Sequence, residues 1–124
     1  MRKTAKSNKG KKVYDCPVEA VLDVLGGKWG LPIIARLAPR TLRYSELKRS
    51  LPSISERVLI KQLRRMEADG IVRRQQYPEV PPRVEYSLSE VGESLIPTLD
   101  HLGNWALKHL PERLSFLQDK QNGT

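Results

Sequence analysis

Two segments near the start of the chain have apolar residues at helical spacing. In the first segment the apolar residues are three or four positions apart, at Val18, Val21, Leu22 and Leu25. This spacing predicts an amphipathic helix that begins at Pro17, a residue tolerated at the first helical position, and ends at Gly26-Gly27. The second segment, from about Trp29 to Ala38, is apolar on nearly every side, so it predicts a helix buried in the core.

The middle of the chain predicts a short strand and then two helices joined by a tight turn. Residues 41–43 are compatible with a strand, and the short helix after them ends at Pro52. Ser55 is well placed as the N-cap of a further helix over residues 56–69, which Gly70 ends. Two helices in this order form a helix-turn-helix.

Strand-like residues on both sides of a proline-rich tip predict a hairpin after these helices. The runs "IVRRQQY" and "RVEYSL" flank a tip that holds Pro78, Pro81 and Pro82. Ser89 then caps a long helix that extends through about Leu110, with Gly92 and Pro97 as mild interior irregularities. The chain is therefore predicted to be mainly α, of the α+β type, and to form a winged helix-turn-helix with a two-stranded β-wing.

The size and composition of the chain are those of one globular domain. It has 124 residues, of which 39% are hydrophobic and 29% charged. Residues 1–12 lack apolar periodicity and predict a basic disordered tail, whereas residues 13–124 predict the folded domain. No apolar run approaches the roughly 18 residues of a membrane span, and the basic N-terminus lacks the apolar stretch of a secretory signal. We therefore expect a cytoplasmic, nucleoid-associated protein without a membrane contact.

The formal net charge of +8 is unevenly distributed along the chain. Residues 1–12 hold six basic residues and no acid, and residues 36–83 hold twelve basic and five acidic residues. The segments 13–35 and 84–124 are net acidic. Basic clusters of this kind indicate a polyanionic partner, most often nucleic acid, although a solvated charged surface is the alternative.

The helix over residues 56–69 has an apolar face and a basic face when its residues are placed at 100° intervals. The core face holds Leu59, Leu63 and Met66, and the opposite face is cationic. The predicted DNA-binding residues of this helix are Ser55, Arg57, Lys61, Arg64 and Arg65. Arg57 and Lys61, in the N-terminal half, are expected to donate to guanine O6 and N7, whereas Arg64 and Arg65 are expected to contact phosphates. An ordinary solvated helix face is the alternative interpretation.

The proline-rich tip of the hairpin predicts a stiff DNA contact. Prolines restrict the free loop, so less entropy is lost when the tip docks. Arg83, with Arg73 and Arg74 on the other strand, supplies positive charge near the base of the wing, and Glu79 is expected to pair with an arginine. The predicted DNA-binding residues of the wing are Tyr77, Pro78, Pro81 and Arg83.

Four motifs resemble those of the HxlR family of bacterial transcriptional regulators. They are "CPVEAVLDVLGGKW", "RYSELKRSLPSISERVLIKQLRRMEADGIVRR", "YPEVPPRVEYSLSEVGESL" and "LDHLGNW", and they extend from about Cys16 to Trp105. The resemblance implies a MarR-like winged-helix homodimer that binds pseudo-palindromic operator DNA. It also implies that the first and last helices form the dimer interface.

The last long helix carries a wide apolar stripe. The stripe includes Leu95, Leu99, Leu102, Trp105, Ala106 and Leu110. One small domain has difficulty burying so much apolar surface, so a partner subunit is the expected cover, and folding back on the chain's own core is the alternative. The predicted dimer contacts are Leu99, Leu102, Trp105 and Leu110.

Cys16 is the only cysteine of the chain, so an intrachain disulfide is impossible. It precedes Pro17 at the start of the first helix, where the helix dipole favours the reactive thiolate. Some members of the family that the chain resembles use a cysteine at this place to sense oxidants, quinones or aldehydes. Those with an intersubunit disulfide usually need a second cysteine, which is absent here. Cys16 is therefore either a structural residue or a sensor that acts through a Cys16–Cys16′ bridge, a mixed disulfide or alkylation.

Other function classes fit the residue patterns less well. A basic RNA- or ribosome-binding module is the main alternative, but the interleaved exposed aromatic residues of a stacking platform are absent. An enzyme is not expected, because the sequence has no Cys-x-x-Cys motif and no phosphate-binding glycine loop. His101 and His109 have no cysteine or carboxylate cluster at metal-ligand spacing, so no metal site and no cofactor are expected. The expected partners are double-stranded DNA and a second copy of the chain, together with an unidentified effector.

Overall fold

The computed structural model describes residues 12–117, so most of the predicted basic tail lies outside the described residues. The helices are α1 (Pro17–Leu25), α2 (Gly30–Leu37), α3 (Tyr44–Ser50), α4 (Glu56–Ala68), α5 (Glu90–Ser94) and α6 (Ile96–His109). The strands are β1 (Leu42–Arg43), β2 (Val72–Tyr77) and β3 (Arg83–Leu88). A single 3₁₀ turn, Pro111–Arg113, follows α6.

The first two helices form where the apolar spacing predicts them. Pro17 begins α1, and Gly26 is its C-cap. Gly30 begins α2 directly against the end of α1, since a Cβ at this position would overlap the carbonyl group of Leu25. Only glycine permits this approach, which explains how α2 becomes buried so soon after α1 ends.

The three strands form one antiparallel sheet in the order β1-β3-β2. In the wing, Val72 pairs with Leu88 at the base and Tyr77 pairs with Arg83 next to the tip. The predicted strand at residues 41–43 is confirmed by β1, which places Leu42 opposite Tyr86. The sheet therefore has three strands rather than the two that the wing alone predicts, because β1 joins the outer edge of β3.

The hydrophobic core lies where α2, α3 and α4 pack on the base of the sheet. Its buried residues are Leu25, Ile33, Ile34, Leu37, Leu42, Leu47, Leu51, Ile54, Leu59, Leu63, Met66, Ile71, Val72, Tyr86 and Leu88. Leu59, Leu63 and Met66 are the three residues that the sequence predicts for the inner face of α4. The helix-turn-helix is thus held on the core by the inner face of its second helix.

The predicted single helix from Ser89 to Leu110 is wrong, because the structure divides it into α5 and α6. The break is at Leu95, whose N–H bonds to the Gly92 carbonyl rather than continuing the α-helical pattern. Pro97 lies in the first turn of α6 and has no N–H to donate to the preceding turn. A new helix, α6, therefore begins after Leu95 and places Pro97 in its first turn, where the missing N–H is tolerated.

A compact contact fixes α5 to the residues just before β2. The Ser89 hydroxyl accepts a hydrogen bond from the Gly92 N–H at 3.0 Å and donates to the Gly70 carbonyl at 2.6 Å. A Cβ at Gly92 would overlap the Ile71 carbonyl, so only glycine fits at this position. No helix among residues 12–117 is long and apolar enough to cross a membrane.

Candidate nucleic-acid interface

The turn between α3 and α4 is anchored at both of its ends. Leu51 and Ile54 are buried in the turn, where they pack on the core. The Ser55 hydroxyl accepts a hydrogen bond from the Val58 N–H at 3.1 Å, as the predicted N-cap requires. The capping role of Ser55 therefore fixes where α4 begins and which way its first turn points.

The two faces of α4 differ completely in burial. Leu59 and Leu63 are 0% and 1% exposed on the inner face, whereas Arg57, Lys61 and Arg64 are all exposed on the outer face. None of these three cations takes part in an ion pair among the described residues. The outer face of α4, defined by Arg57, Lys61 and Arg64, therefore presents positive charge that no internal acid compensates.

Arg65 lies differently from Arg64, although both are predicted to contact phosphates. Its Nη2 atom is 2.9 Å from Asp23 Oδ1 and donates to the Asp23 carbonyl oxygen at 2.6 Å. Asp23 is in the last turn of α1, where carbonyl oxygens have no partner within the helix. Arg65 thus connects α4 to α1 in the free protein, and its expected phosphate contact stays a prediction.

The wing is closed next to its tip by Arg83. The Arg83 guanidinium lies 4.0 Å from the centre of the Tyr77 ring, and its Nη2 atom is 3.1 Å from Glu79 Oε2. A second carboxylate, Glu85, lies 3.6 Å from Arg83 Nε, which is beyond hydrogen-bond distance. That buried nitrogen has no hydrogen-bond partner in the described part of the chain. The expected pairing of Glu79 with an arginine is confirmed.

The predicted DNA contact of Arg83 stays a prediction, but the side chain already has partners within the wing. Its side chain is only 27% exposed and faces two carboxylates, so its charge is largely compensated inside the wing. The tip residues, Pro78 to Pro82, are all exposed, and Val80 is completely so. Arg83 therefore holds the tip against the strands rather than projecting from it.

Two residues of α3, Glu46 and Tyr44, have pKa values that are shifted by burial and by neighbouring groups. The Glu46 carboxylate accepts a hydrogen bond from the Arg43 N–H at 2.8 Å, and this bond, with help from Arg40 and Arg43, lowers the pKa of Glu46. Burial raises the pKa of Tyr44, and the nearby Glu56 and Tyr86 raise it further. The Tyr44 hydroxyl has no hydrogen-bond partner within residues 12–117, so Glu56 acts on it mainly through its charge.

Arg43 also lies near this surface, although its position is not predicted from the sequence. It is exposed in β1 and lies beside the groove between α4 and the wing, together with Arg64 and Arg74. Its position depends on the pairing of β1 with β3, a contact between distant segments of the chain. The only sequence signal is its place directly before α3.

Cys16 is exposed and is the N-cap residue of α1, without a side-chain cap hydrogen bond. Its predicted place at the start of the first helix is therefore confirmed. Within residues 12–117, no group of three or more histidine, cysteine, aspartate or glutamate side chains is arranged to hold a metal ion.

The apolar residues of α1 and α6 are largely uncovered. In α1, Val18 and Leu22 are 64% and 63% exposed, and in α6, Leu102 and Trp105 are 58% and 56% exposed. No residue of α6 is buried. Of the predicted dimer contacts, Leu99 packs partly against the core and Leu110 is half-buried, so Leu102 and Trp105 form the more accessible pair.

Comparison with known proteins shows that the chain is similar to helix-turn-helix transcriptional regulators. The HxlR-like helix-turn-helix family matches residues 24–114. The HTH-type transcriptional regulator YtcD of Bacillus subtilis is 49% identical over 100 residues, which cover 81% of this chain and 79% of the relative.

Two solved structures are similar to this chain over most of their length. A MarR-family transcriptional regulator from Porphyromonas gingivalis superposes with a TM-score of 0.69 at 42% identity and covers 81% of this chain and 100% of its own. The redox regulator HypR in its oxidized form has a TM-score of 0.68 at 46% identity and covers 76% of this chain and 97% of its own. The predicted winged helix-turn-helix fold is thereby confirmed.

Proposed function

The chain belongs to the HxlR-like helix-turn-helix family, whose relatives are named transcriptional regulators, and on that premise we propose that it binds a pseudo-palindromic operator in duplex DNA as a homodimer. The observation that carries this proposal is the outer face of α4. Its three cations are exposed and have no acidic partner among the described residues, and they project from the second helix of a helix-turn-helix. In this motif the second helix is the one that enters the major groove.

The N-terminal half of α4 supplies the base contacts in this proposal. Arg57 lies in its first turn and Lys61 one turn later on the same side. Both side chains are long enough to donate to guanine O6 and N7. Ser55 contributes by capping the helix, so that the approach of these two side chains to the bases is fixed before binding.

The backbone contacts come from Arg64 and from the wing. Arg64 is further along α4, where the helix leaves the groove and phosphates are closer than bases. In the wing, Tyr77, Pro78 and Pro81 lie at or beside the exposed tip and follow the sugar-phosphate backbone. Arg83 acts as a positioning residue, because its contacts with Glu79 and Tyr77 hold the tip in one arrangement.

Dimerisation through α1 and α6 accounts for their exposed apolar residues. A second copy that covers Leu102 and Trp105 would remove large side chains from water and contribute about 25 cal/mol for each Å² of apolar surface buried. A two-fold dimer also presents two copies of α4, which is what a pseudo-palindromic site requires. In this proposal residues 13–124 form the domain, and the basic residues of 1–12 add non-specific attraction to phosphates.

Cys16 is the candidate site of a response to oxidants or electrophiles. Its thiol is exposed at the start of α1, one of the two helices assigned to the dimer interface. The similar protein HypR is named a redox regulator. Oxidation of two Cys16 thiols to a disulfide between subunits, formation of a mixed disulfide, or alkylation by a quinone would each alter this helix.

A selection experiment tests the proposal. Random duplexes that the purified chain retains are sequenced, and the affinity for the selected site is then measured by fluorescence anisotropy. We expect a palindromic site, bound by two chains, and loss of its preference over random DNA in Arg57→Ala and Lys61→Ala. Arg113→Ala removes the same charge outside the helix-turn-helix and the wing, and it serves as the control. If no duplex is enriched, the proposal is wrong.

The role of Cys16 is tested separately by treating the DNA complex with diamide or a quinone. Wild-type protein is expected to change its DNA affinity, whereas Cys16→Ser is expected not to respond. A response that persists in Cys16→Ser would exclude this thiol as the sensor. That result would leave the proposed DNA binding intact.

A further inference from the structure

A groove with a volume of about 440 Å³ lies between the end of α2 and α3. Three arginines line it, Arg36, Arg40 and Arg49, together with Glu46 and the apolar residues Pro39 and Leu42. None of its lining residues belongs to α4 or to the wing. This α2–α3 groove is therefore separate from the residues that are proposed to bind DNA.

The position of α3 keeps the α2–α3 groove apart from the groove between α4 and the wing. Tyr44 and Ser45 line the groove beside the wing, whereas Glu46 and Arg49 line the α2–α3 groove. No residue lines both grooves. A duplex held by α4 and the wing therefore leaves the α2–α3 groove open to a different partner.

The charge of the α2–α3 groove is positive. Glu46 is the only acidic residue of its lining. The Glu46 carboxylate already accepts a hydrogen bond from the Arg43 N–H at 2.8 Å and lies 4.0 Å from Arg40 Nη1. One such carboxylate cannot compensate three guanidinium groups, so the groove attracts an anionic partner.

Two of the three arginines have donors that are free to bind such a partner. Arg36 Nε donates at 3.4 Å to the carbonyl of Ser50, the last residue of α3, where carbonyl oxygens have no partner within the helix. This bond holds the guanidinium at the groove, and its Nη atoms have no partner within residues 12–117. Arg49 is exposed and makes no hydrogen bond or ion pair in the same part of the chain.

We propose that the α2–α3 groove docks a short acidic segment of another protein, whose carboxylates bind Arg36, Arg40 and Arg49. Guanidinium groups bind carboxylates through paired hydrogen bonds, which gives such a contact both strength and a fixed orientation. The lining also has a small apolar part, since Pro39 is exposed beside the nearly buried Leu42. A protein segment can place an apolar side chain there, whereas a phosphate backbone would use the arginines alone.

The docking surface has a consequence that rests on the proposed function. Because the groove stays open when α4 and the wing hold a duplex, one chain can bind DNA and the acidic segment together. The regulator then brings an acidic protein to its operator, in addition to covering the site.

The test of the docking surface uses a defined acidic peptide and the full-length chain without DNA. The peptide Asp-Glu-Asp-Leu-Asp-Glu, acetylated and amidated at its ends, is titrated into ¹⁵N-labelled protein, and the amide shifts are followed by NMR. We expect the largest saturable shifts at groove residues such as Leu42, Glu46 and Arg49. Larger shifts on α4, or no saturable shifts at millimolar peptide, would overturn the proposal.

Two further compounds separate a peptide site from a general anion site. The peptide Asn-Gln-Asn-Leu-Asn-Gln has the same size without the charge, and tripolyphosphate has the charge without an apolar side chain. The neutral peptide is expected to bind at least about tenfold more weakly than the acidic one, which is the effect of losing one good charged contact. Tripolyphosphate is also expected to bind more weakly. Equal binding of the neutral peptide would show that the arginines are not used, and equal binding of tripolyphosphate would contradict a protein partner.

Variants locate the site independently. Arg49→Ala is expected to weaken binding of the acidic peptide about tenfold, and its fold is expected to be unchanged because Arg49 has no partner to lose within residues 12–117. Arg113→Ala removes the same charge at another exposed position and is expected to bind the peptide as the wild type does. An equal loss in the two variants would show attraction to the overall charge of the chain and would overturn the assignment of the groove.

A final measurement separates the docking surface from the DNA interface. Arg49→Ala is expected to bind the selected duplex as tightly as wild type, whereas a loss of DNA affinity in this variant would mean that the groove contacts DNA. A fluorescent acidic peptide is expected to bind the protein–duplex complex with the Kd that it has for the free protein. Displacement of the peptide by the duplex would overturn simultaneous binding. Because the NMR titration contains no DNA, the docking of the peptide is tested even if the proposed operator binding fails.

Discussion

α4 and the wing both carry arginines, but they use the positive charge in different ways. On α4, Arg57 and Arg64 are exposed and have no acidic partner among the described residues. In the wing, Arg83 lies between Glu79 and Glu85 and against the Tyr77 ring. An arginine without an acidic partner in the free protein is available to bind an anionic partner. An arginine that is paired with carboxylates instead stabilises the conformation of the wing.

The two adjacent arginines on α4 differ in the same way. Arg64 faces outward, but Arg65 is bound to Asp23 at 2.9 Å. A difference of one position on a helix is about 100° of rotation, which is enough to move a side chain from a binding surface to an internal contact. A count of basic residues in a segment therefore overstates the charge that is offered to DNA.

The largest expected effect comes from the inner face of α4. Leu63 is 1% exposed, so Leu63→Ala is expected to reduce the free energy of unfolding by about 2–5 kcal/mol. Lys61→Ala, on the outer face of the same helix, is expected to change it by less than about 0.5 kcal/mol. Chemical denaturation followed by circular dichroism measures both, and similar losses in the two variants would contradict the division of α4 into a structural and a binding face.

The next effect concerns base recognition by that outer face. Arg57→Ala is expected to lose about 1–3 kcal/mol of discrimination between the selected operator and a variant operator with one changed guanine. The measurement is the ratio of the two Kd values by anisotropy at fixed salt. An equal loss of affinity for both duplexes would mean that Arg57 contacts the backbone rather than a base.

The salt dependence of DNA binding is expected to distinguish the role of Arg64 from that of Arg83. Arg64→Ala is expected to reduce the slope of log K against log salt by about 1, since one phosphate contact is lost. Arg83→Ala is expected to weaken binding without changing this slope, because the tip loses its support rather than a phosphate contact. If Arg83→Ala also lowers the slope by about 1, the side chain leaves its carboxylates and binds DNA directly.

The smallest effect is expected at the start of α3. The pKa of Glu46 is lowered by the hydrogen bond from the Arg43 N–H, so its stabilising contribution is present above the pKa of glutamate in the unfolded chain. That contribution is lost as the pH falls through the lowered pKa of the folded state. Thermal unfolding between pH 7 and pH 3 is expected to show a smaller loss of Tm in Glu46→Gln than in wild type. Glu19→Gln, which removes an exposed carboxylate on α1, is the control.

Most of the fold was predictable because its signals are local. The apolar spacing of α1 and α4, the N-caps Ser55 and Ser89, and the proline-rich tip each depend on residues close together in the chain. At Pro97 the sequence predicts only a mild irregularity and not the break between α5 and α6, because the apolar stripe continues across this position.

The candidate site was less predictable, since it depends on contacts between distant segments. The sequence indicates which face of α4 is cationic, but it does not reveal that Asp23 takes Arg65 away from that face. Nor does it reveal that β1 brings Arg43 to the groove beside the wing. Both depend on how α1 and β1 pack on elements formed later in the chain, and neither leaves a periodic signal.

The contact between Arg65 and Asp23 has a mechanical consequence. It is a direct side-chain link between α1 and α4, with two hydrogen bonds that converge on one residue. A tilt of α1 relative to α4 therefore breaks this contact unless α4 moves with α1. In the proposed dimer, this contact connects the helix that begins after the exposed Cys16 to α4, so modification of Cys16 is expected to act on the proposed DNA-binding helix through α1.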